Sequence, residues 1–308
     1  MIFFLSSGKI LKRMNPRKQG LLLVHLAVLL FGFPGVISKL LPLNAVQLTW
    51  FRVFLATIGL MVVIFWQKEK INISWSEDSL LILISGALLA FHWTAFFKSV
   101  QIATVAIGLL SYSTFPIFTV FLEPWLLKIK FNKGYLGFAI ICFLGVAIMV
   151  PEVSFSNRIF LGVIWGIISG LSFSFLTIIN RKLSSKYSSL VLAFYQDGLA
   201  MVILLPLLLG LSQKIPWHFT TREVGLLLFL GLVCTAGAHT LFIYGLRFLE
   251  ARLSSLISSL ETVYGIVFGF LILREIPAFR TLLGGLLILA SVVTLSWKNR
   301  QSKPDSCS

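Results

Sequence analysis

Residues 20–41 read GLLLVHLAVLLFGFPGVISKLL, a stretch in which His25 and Lys39 are the only titratable side chains. A bilayer core about 30 Å thick is crossed by about 20 apolar residues of helix, so this stretch is long enough to span. Before it stand Lys9, Lys12, Arg13, Arg17 and Lys18, the kind of basic lead that also opens a secretory signal. No small-x-small cleavage site follows, and the apolar run is longer than a signal core. The stretch therefore reads as a retained first membrane helix behind a basic tail, residues 1–19. Met14 is a second candidate start, because Met1–Arg13 adds nothing that this architecture needs.

The rest of the 308 residues continues the pattern, with 57% hydrophobic and only 12% charged side chains and a mean hydropathy of +0.95. An ordinary soluble domain is about a quarter charged, so this chain lacks the polar surface to cover a globule. A soluble enzyme, a disordered chain and a disulfide scaffold are excluded. An all-α polytopic membrane protein is expected, with ten spans near 20–41, 45–66, 79–98, 104–127, 134–150, 160–180, 190–210, 224–245, 253–273 and 280–297. Strands are excluded because an open sheet cannot satisfy its backbone in lipid and the segments are too long for barrel strands. The longer loops, 67–78 and 211–223, hold Trp75 and Trp217, indoles that suit the membrane interface. Cys142, Cys234 and Cys307 form no CxxC or Cys/His pattern and are expected as free thiols, with no metal and no cofactor.

Lys and Arg exceed Asp and Glu by 26 to 11. On a membrane chain that excess points to cytoplasmic loops against anionic lipid, not to nucleic acid. With the N-terminus inside, 18 of the 26 basic residues fall on the cytoplasmic side, including Lys128, Lys130, Lys133, Arg181, Lys182 and Lys186. The expectation is a multi-pass protein of the cytoplasmic (inner) membrane with both termini, including the tail 298–308, in the cytoplasm.

The second half echoes the first. Gly20 with Phe31-Gly32-Phe33 parallels Gly162 with Phe173-Ser174-Phe175, Thr94-Ala-Phe-Phe-Lys-Ser parallels Thr240-Leu-Phe-Ile-Tyr-Gly, and Leu136-Gly137 parallels Leu283-Gly284. Two five-helix halves, 20–150 and 160–297, would cross the membrane in opposite senses because five is odd. Such inverted repeats place a substrate site near the midplane where the halves meet.

The chain resembles the drug/metabolite transporter superfamily in its EamA-like branch of bacterial permeases. The residues that carry the likeness are Phe96-Phe-Lys-Ser-Val-Gln-Ile-Ala103 leading into Leu109-Leu-Ser-Tyr-Ser-Thr-Phe-Pro116, and Leu256-Ile-Ser-Ser-Leu-Glu-Thr-Val263 followed by Arg274-Glu275 and Leu283-Gly-Gly-Leu286. The likeness covers about residues 20–297. It implies a central cavity built from helices 1–4 and 6–9, with helices 5 and 10 as outer scaffold, and export of small metabolites, often amino acids. Two departures stand out. The fourth span ends in Lys128-Ile-Lys130 where members often have Gly-Glu, and Thr262 follows Glu261 where many have proline.

An ionisable residue inside a span costs roughly 2.5–3.5 kcal/mol on insertion scales and so needs a reason. Glu261 is the deepest, preceded by Ser254, Ser255, Ser258 and Ser259. It could hold a substrate amine, carry a coupling proton, or fix helix packing. Asp197 in span 7 reads as a pathway residue or as an interfacial aspartate, and His239 in span 8 stands at a similar depth. Arg52, His92 and Trp93 in outer halves form a second group that could receive a carboxylate bidentately or act as a gate, with Lys98 nearby expected to snorkel. Ser111 and Tyr112 on span 4 and Ser258 on span 9 add hydroxyls along the path. Pro34 with Gly35 and Pro116 interrupt spans 1 and 4 and read as hinges. Gly284-Gly285, Gly134 and Gly137 read as close helix contacts in the scaffold.

The function expected is secondary transport by alternating access, with export of amino acids or similar small metabolites across the cytoplasmic membrane. No GxxxxGK[ST] phosphate loop is present, so ATP does not drive the process from this chain. HExxH, GxSxG and paired aspartates are missing too, which sets the chain apart from a membrane-embedded enzyme. A non-catalytic membrane partner or lipid-handling protein is the alternative, and a dry, fully packed interior would favour it. Expected partners are a small-molecule substrate and the lipid bilayer, with the outer faces of helices 5 and 10 open to a homodimer contact.

Overall fold

The computed structural model describes residues 15–71, 77–128, 131, 136–210 and 218–301. The tail to Met14, Trp75, Trp217, Lys130, Lys133, Gly134 and Cys307 lie outside them. Every described element is helical. In chain order they are α1 (Pro16–Phe31 and Phe33–Leu40), α2 (Ala45–Gln67), α3 (Glu77–Ile102), α4 (Val105–Tyr112 and Phe115–Leu127) and α5 (Leu136–Met149). There follow α6 (Arg158–Ser184), α7 (Ser189–Gly210), α8 (Thr221–Leu228, Phe229–Gly237 and Ala238–Leu246), α9 (Ala251–Ser258, Leu260–Phe268 and Gly269–Leu273) and α10 (Phe279–Gln301). Eight of these helical units are long and apolar enough to cross a membrane. The other two, α5 and the Phe279–Ser291 part of α10, are shorter apolar helices.

Short polar caps set the boundaries. Asn15 accepts from Arg17 N ahead of Pro16, Asn44 and Gln47 form a reciprocal capping box on α2, and Thr104, Asn157 and Thr220 start α4, α6 and α8. Lys68, Lys128 and Arg274 end α2, α4 and α9 in the left-handed region, at φ 52°, 54° and 57°. Glycine is the usual residue for that cap, so Lys128 stands at a position whose backbone suits the glycine common among the resembling permeases.

The polarity is inverted relative to a soluble protein. Phe65, Trp66, Ile140, Leu209, Leu271 and Leu286 face outward, whereas Arg52, Asp197, Glu261 and many serines and threonines are buried. The outer apolar surface is what hydrocarbon tails would wet, and this is a multi-pass membrane protein in a lipid bilayer. Cys142 and Cys234 are buried free thiols.

The pairs α3–α6 and α5–α10 run antiparallel. Against α6, α3 places Ser99 on the Gly162 carbonyl (2.6 Å), His92 on Ser169 and, at the far end, Asp78 on Lys186 (2.9 Å). Between α5 and α10, Ser291 Oγ donates to the Phe138 carbonyl and Arg280 Nε to that of Ile148 (3.2 Å). One end of the bundle is closed by Lys39 Nζ on the Ala103 carbonyl (3.0 Å) and by Glu275 Oε2, which accepts from Val105 N (2.9 Å). The other end is closed by Asp78, which accepts from Lys186 Nζ and from Tyr187 Oη (3.2 Å).

The scaffold contact corrects one expectation. Gly137 faces open space, on the exposed side of α5. Gly145 and Gly284 make the close crossing instead: a Cβ on Gly145 would stand 2.6 Å from the Gly284 carbonyl oxygen. Gly285 meets Leu110, as a packing glycine should. Small residues that let backbones touch are the means by which helices associate in lipid. Gly284→Val should therefore destabilise the protein by about 1–3 kcal/mol, the usual cost of overpacking, and Gly137→Ala should not. Thermal unfolding in detergent checks both, and equal stability of Gly284→Val and wild type would remove the crossing.

Candidate functional site

Three helices are interrupted at mid-bundle. In α1 the break at Gly32 precedes Pro34, which has no N–H to give. In α4 the helix stops at Tyr112 and resumes at Phe115, with Pro116 in the first turn. Thr114 Oγ1 donates to the Ser111 carbonyl (2.8 Å), and Ser174 Oγ reaches from α6 to the Phe115 carbonyl (2.7 Å). In α9 the break at Ser259 occurs without proline. Thr262, the residue standing where many resembling permeases have proline, donates to the Leu109 carbonyl (3.2 Å) and bonds the Ser113 hydroxyl. Pro34 and Pro116 thus mark real interruptions facing protein, as non-helical backbone in a membrane must.

Between these breaks lies a small cavity of about 30 Å³. Its polar corners are Arg52 from α2, His92 from α3, Asn180 from α6, His239 from α8 and Glu261 from α9. Its walls are aromatic: Phe31, Trp93, Phe96, Tyr112, Phe173 and Phe242. The lining residues come from α1–α4, α6, α8 and α9, and none from α5 or α10.

Arg52 organises this site. Its side chain is 1% exposed, and its Cζ lies 3.8 Å above the centre of the Trp93 ring, a cation–π geometry. Nε donates to Thr235 Oγ1 at 2.9 Å. Thr235 sits in the wide-pitch segment Phe229–Gly237 of α8, and its own hydroxyl donates to the Leu230 carbonyl five residues back (2.7 Å). Such π segments often mark functional positions. With Nε and the ring face engaged, the terminal nitrogens of the guanidinium remain as a fork. Among the described residues no carboxylate lies within 4.0 Å of it, although Asp197 and Glu261 are near enough to attract its charge.

His92 Nδ1 contacts the Ser169 carbonyl (3.1 Å), which places the ring proton there, and Ser169 Oγ donates to the His92 carbonyl (3.0 Å). Trp93 stands edge-on to His239 with ring centres 5.6 Å apart. Asp197 lies behind His239, its Oδ1 3.7 Å from His239 Nδ1, too far for a hydrogen bond.

The structure thus brings Arg52, His92, Trp93, Tyr112, His239, Glu261 and Pro34 to one cavity. The separation of an outer Arg52–His92–Trp93 group from an inner Asp197–His239 pair does not hold, because Trp93 and His239 touch. Asp197 is 0% exposed, covered by protein on every side. Ser111 and Ser258 do not line the cavity. Each returns its hydroxyl to its own helix, Ser111 to the Ile107 carbonyl (2.6 Å) and Ser258 to that of Ser254 (2.9 Å), the common fate of a helical serine. Gly35 stands behind Phe96. Lys98 is exposed and outside the cavity. Sequence reasoning missed Thr235, Asn180 and which phenylalanines form the aromatic wall. For the wall a signal was present: Phe31 and Phe173, and Phe96 and Phe242, occupy matching places in the quoted repeat segments.

The chain is 27% identical over 287 residues to an uncharacterized transporter of Bacillus subtilis, covering 90% of this chain and 89% of that one. It is 26% identical over 294 residues to an uncharacterized transporter of Archaeoglobus fulgidus, covering 94% and 100%. It is also 24% identical over 286 residues to the pseudopaline exporter CntI of Pseudomonas aeruginosa, covering 91% and 96%. A solved crystal structure superposes with a TM-score of 0.67 at 15% identity, over 92% of this chain and 99% of that one, a likeness of fold. The sequence model of the EamA-like transporter family matches residues 18–150 and 160–297. The chain belongs to the EamA-like transporter family, within the drug/metabolite transporter superfamily.

Proposed function

We propose that this small-molecule transporter exports amino acids or closely similar zwitterions across the cytoplasmic membrane, by alternating access of two inverted five-helix halves, 20–150 and 160–297. The observation that carries the reading is the cavity itself. It holds one guanidinium fork, Arg52, and one carboxylate, Glu261, inside an aromatic enclosure. A ligand carboxylate suits the fork, a ligand ammonium suits Glu261, and a branched or aromatic body suits the wall. A non-transporting membrane partner has no need of such a cavity.

The halves meet across that cavity. Phe31 and Phe173, Phe96 and Phe242, and Trp93 and His239 hold equivalent places in the repeat, and all six line the same space. Lys128 and Arg274 end the fourth and ninth helices with the same left-handed cap. The antiparallel course of α5 against α10 is what an inverted pair of fifth helices requires. The excess of Lys and Arg on alternate loops supports cytoplasmic termini, and the apolar outer faces of α5 and α10 leave room for a homodimer contact. Pro34, Gly35 and Pro116 would serve as hinges, with Ser111 and Ser258 holding the packing beside the path. Asp197 and His239 would belong to its coupling-ion end.

The test is uptake of a labelled amino-acid panel by proteoliposomes, with and without a pH gradient. Saturable flux of aromatic or branched members is expected. Arg52→Gln should raise KM about 10- to 100-fold, the loss of one charge-assisted contact. Flux that ignores Arg52→Gln would put the ligand elsewhere, and a silent panel would remove amino acids as the substrate class. A stability cycle checks the electrostatics separately. Arg52→Ala leaves two buried carboxylates without their cation and should destabilise the protein by about 3 kcal/mol, and adding Glu261→Gln should recover part of that loss. Additive effects in thermal unfolding would show that the two charges do not feel each other.

A further inference from the structure

We infer that Asp197 and His239 form a buried proton-binding site of their own, adjoining the substrate cavity but separate from Glu261. This rests on the transporter reading and deepens it by naming the coupled ion and its carrier.

Two observations point to the site. The first is a set of unpartnered polar atoms. Both carboxylate oxygens of Asp197 and both ring nitrogens of His239 are buried without a hydrogen-bond partner. Gln196 Oε1, on the residue before Asp197, and Asn180 Nδ2, on the residue to which the Gln196 amide donates, are in the same condition. Buried polar groups in native proteins are satisfied, and leaving one bare costs about 1–3 kcal/mol. The four atoms of Asp197 and His239, which approach to 3.7 Å, describe a place suited to take a proton, not a packing contact.

The second observation is charge balance. The groups that face this place are Arg52 from α2, His92 from α3, Tyr112 from α4, Cys234 from α8 and Glu261 from α9. Arg52 is the one fixed cation among them, against two carboxylates, Asp197 and Glu261. With both ionised the enclosure holds one uncompensated negative charge, which a low-dielectric interior does not tolerate. One proton must therefore reside on Asp197, on His239 or on Glu261. Glu261 opens on the cavity, where a ligand ammonium can neutralise it. Asp197 is closed off, with His239 at 3.7 Å as its nearest titratable neighbour. The retained proton belongs to that pair.

The step is a simple acid–base exchange. A proton from water in the cavity binds His239 or an Asp197 oxygen, an O–H or N–H bond forms, and the pair changes from net −1 to neutral. A zwitterion that occupies Arg52 and Glu261 together takes away the cation that Asp197 shares. The pair then holds its proton more tightly with the ligand bound than without it, and that difference couples the two.

The experiment is infrared difference spectroscopy of purified protein in liposomes, titrated between about pH 5 and pH 9 with no substrate present. Wild type should show a protonated-carboxyl band that fades as pH rises. Asp197→Asn should lose it, Glu261→Gln should keep it with its midpoint moved to lower pH because one carboxylate fewer shares Arg52, and His239→Gln should shift its midpoint by about one pH unit or more, as coupled sites do. If Asp197→Asn does not fold, Asp197→Glu keeps a carboxyl and should move the band. A band unchanged in the Asp197 variants, or lost only in Glu261→Gln, overturns the inference. Because the spectrum needs no ligand, a silent amino-acid panel leaves it standing. A flat spectrum beside active flux removes the proton site without touching transport.

Discussion

One guanidinium held away from water sets the terms for the centre of this protein. A charge in a membrane interior is tolerated only where protein groups replace its hydration, and Arg52 collects such groups from four helices. Trp93 of α3 offers its ring face and Thr235 of α8 its hydroxyl, while Asp197 of α7 and Glu261 of α9 supply opposite charge at longer range. None of the two carboxylates is in direct contact with the cation. That spacing leaves the fork available, which a tight salt bridge would not.

The helix breaks follow from the same need for space. A regular α-helix uses every backbone group internally and presents only side chains. By stopping α1 at Gly32, α4 at Tyr112 and α9 at Ser259, the chain opens room at mid-bundle, and hydroxyls from Thr114, Ser174 and Thr262 bond carbonyls around the break in α4. Serine and threonine therefore act mostly as backbone partners here, and the cavity draws its polarity from a few ionisable residues.

The membrane class and the apolar helices were legible because hydropathy acts over windows of about 20 residues, which a single sequence shows well. The ionisable members of the site were legible for the related reason that a charge in an apolar run stands out. What was not legible depended on rotation and on contact between distant helices. Depth along a helix separated Arg52 from His239, yet Trp93 and His239 touch, because lateral packing decides which depths meet. Ser111 and Gly137 have the right composition for their expected roles, but one bonds its own helix and the other looks outward. Thr235 carried no visible mark: its importance comes from a local change of pitch that residue types do not announce.

That change of pitch has an evolutionary side. In Phe229–Gly237 the backbone bonds reach five residues back, not four, so α8 contains the equivalent of one residue more than a regular helix of the same rise. Removing a single codon there would restore an ordinary helix of comparable length and hydropathy. His239 and Phe242 beyond it would keep their face, because the wide turn already absorbs the extra residue, while the residues within it, Thr235 among them, would change register with the hydropathy profile almost unchanged. Two relatives could thus look alike in every apolar span and differ by one deletion in what they are able to hold.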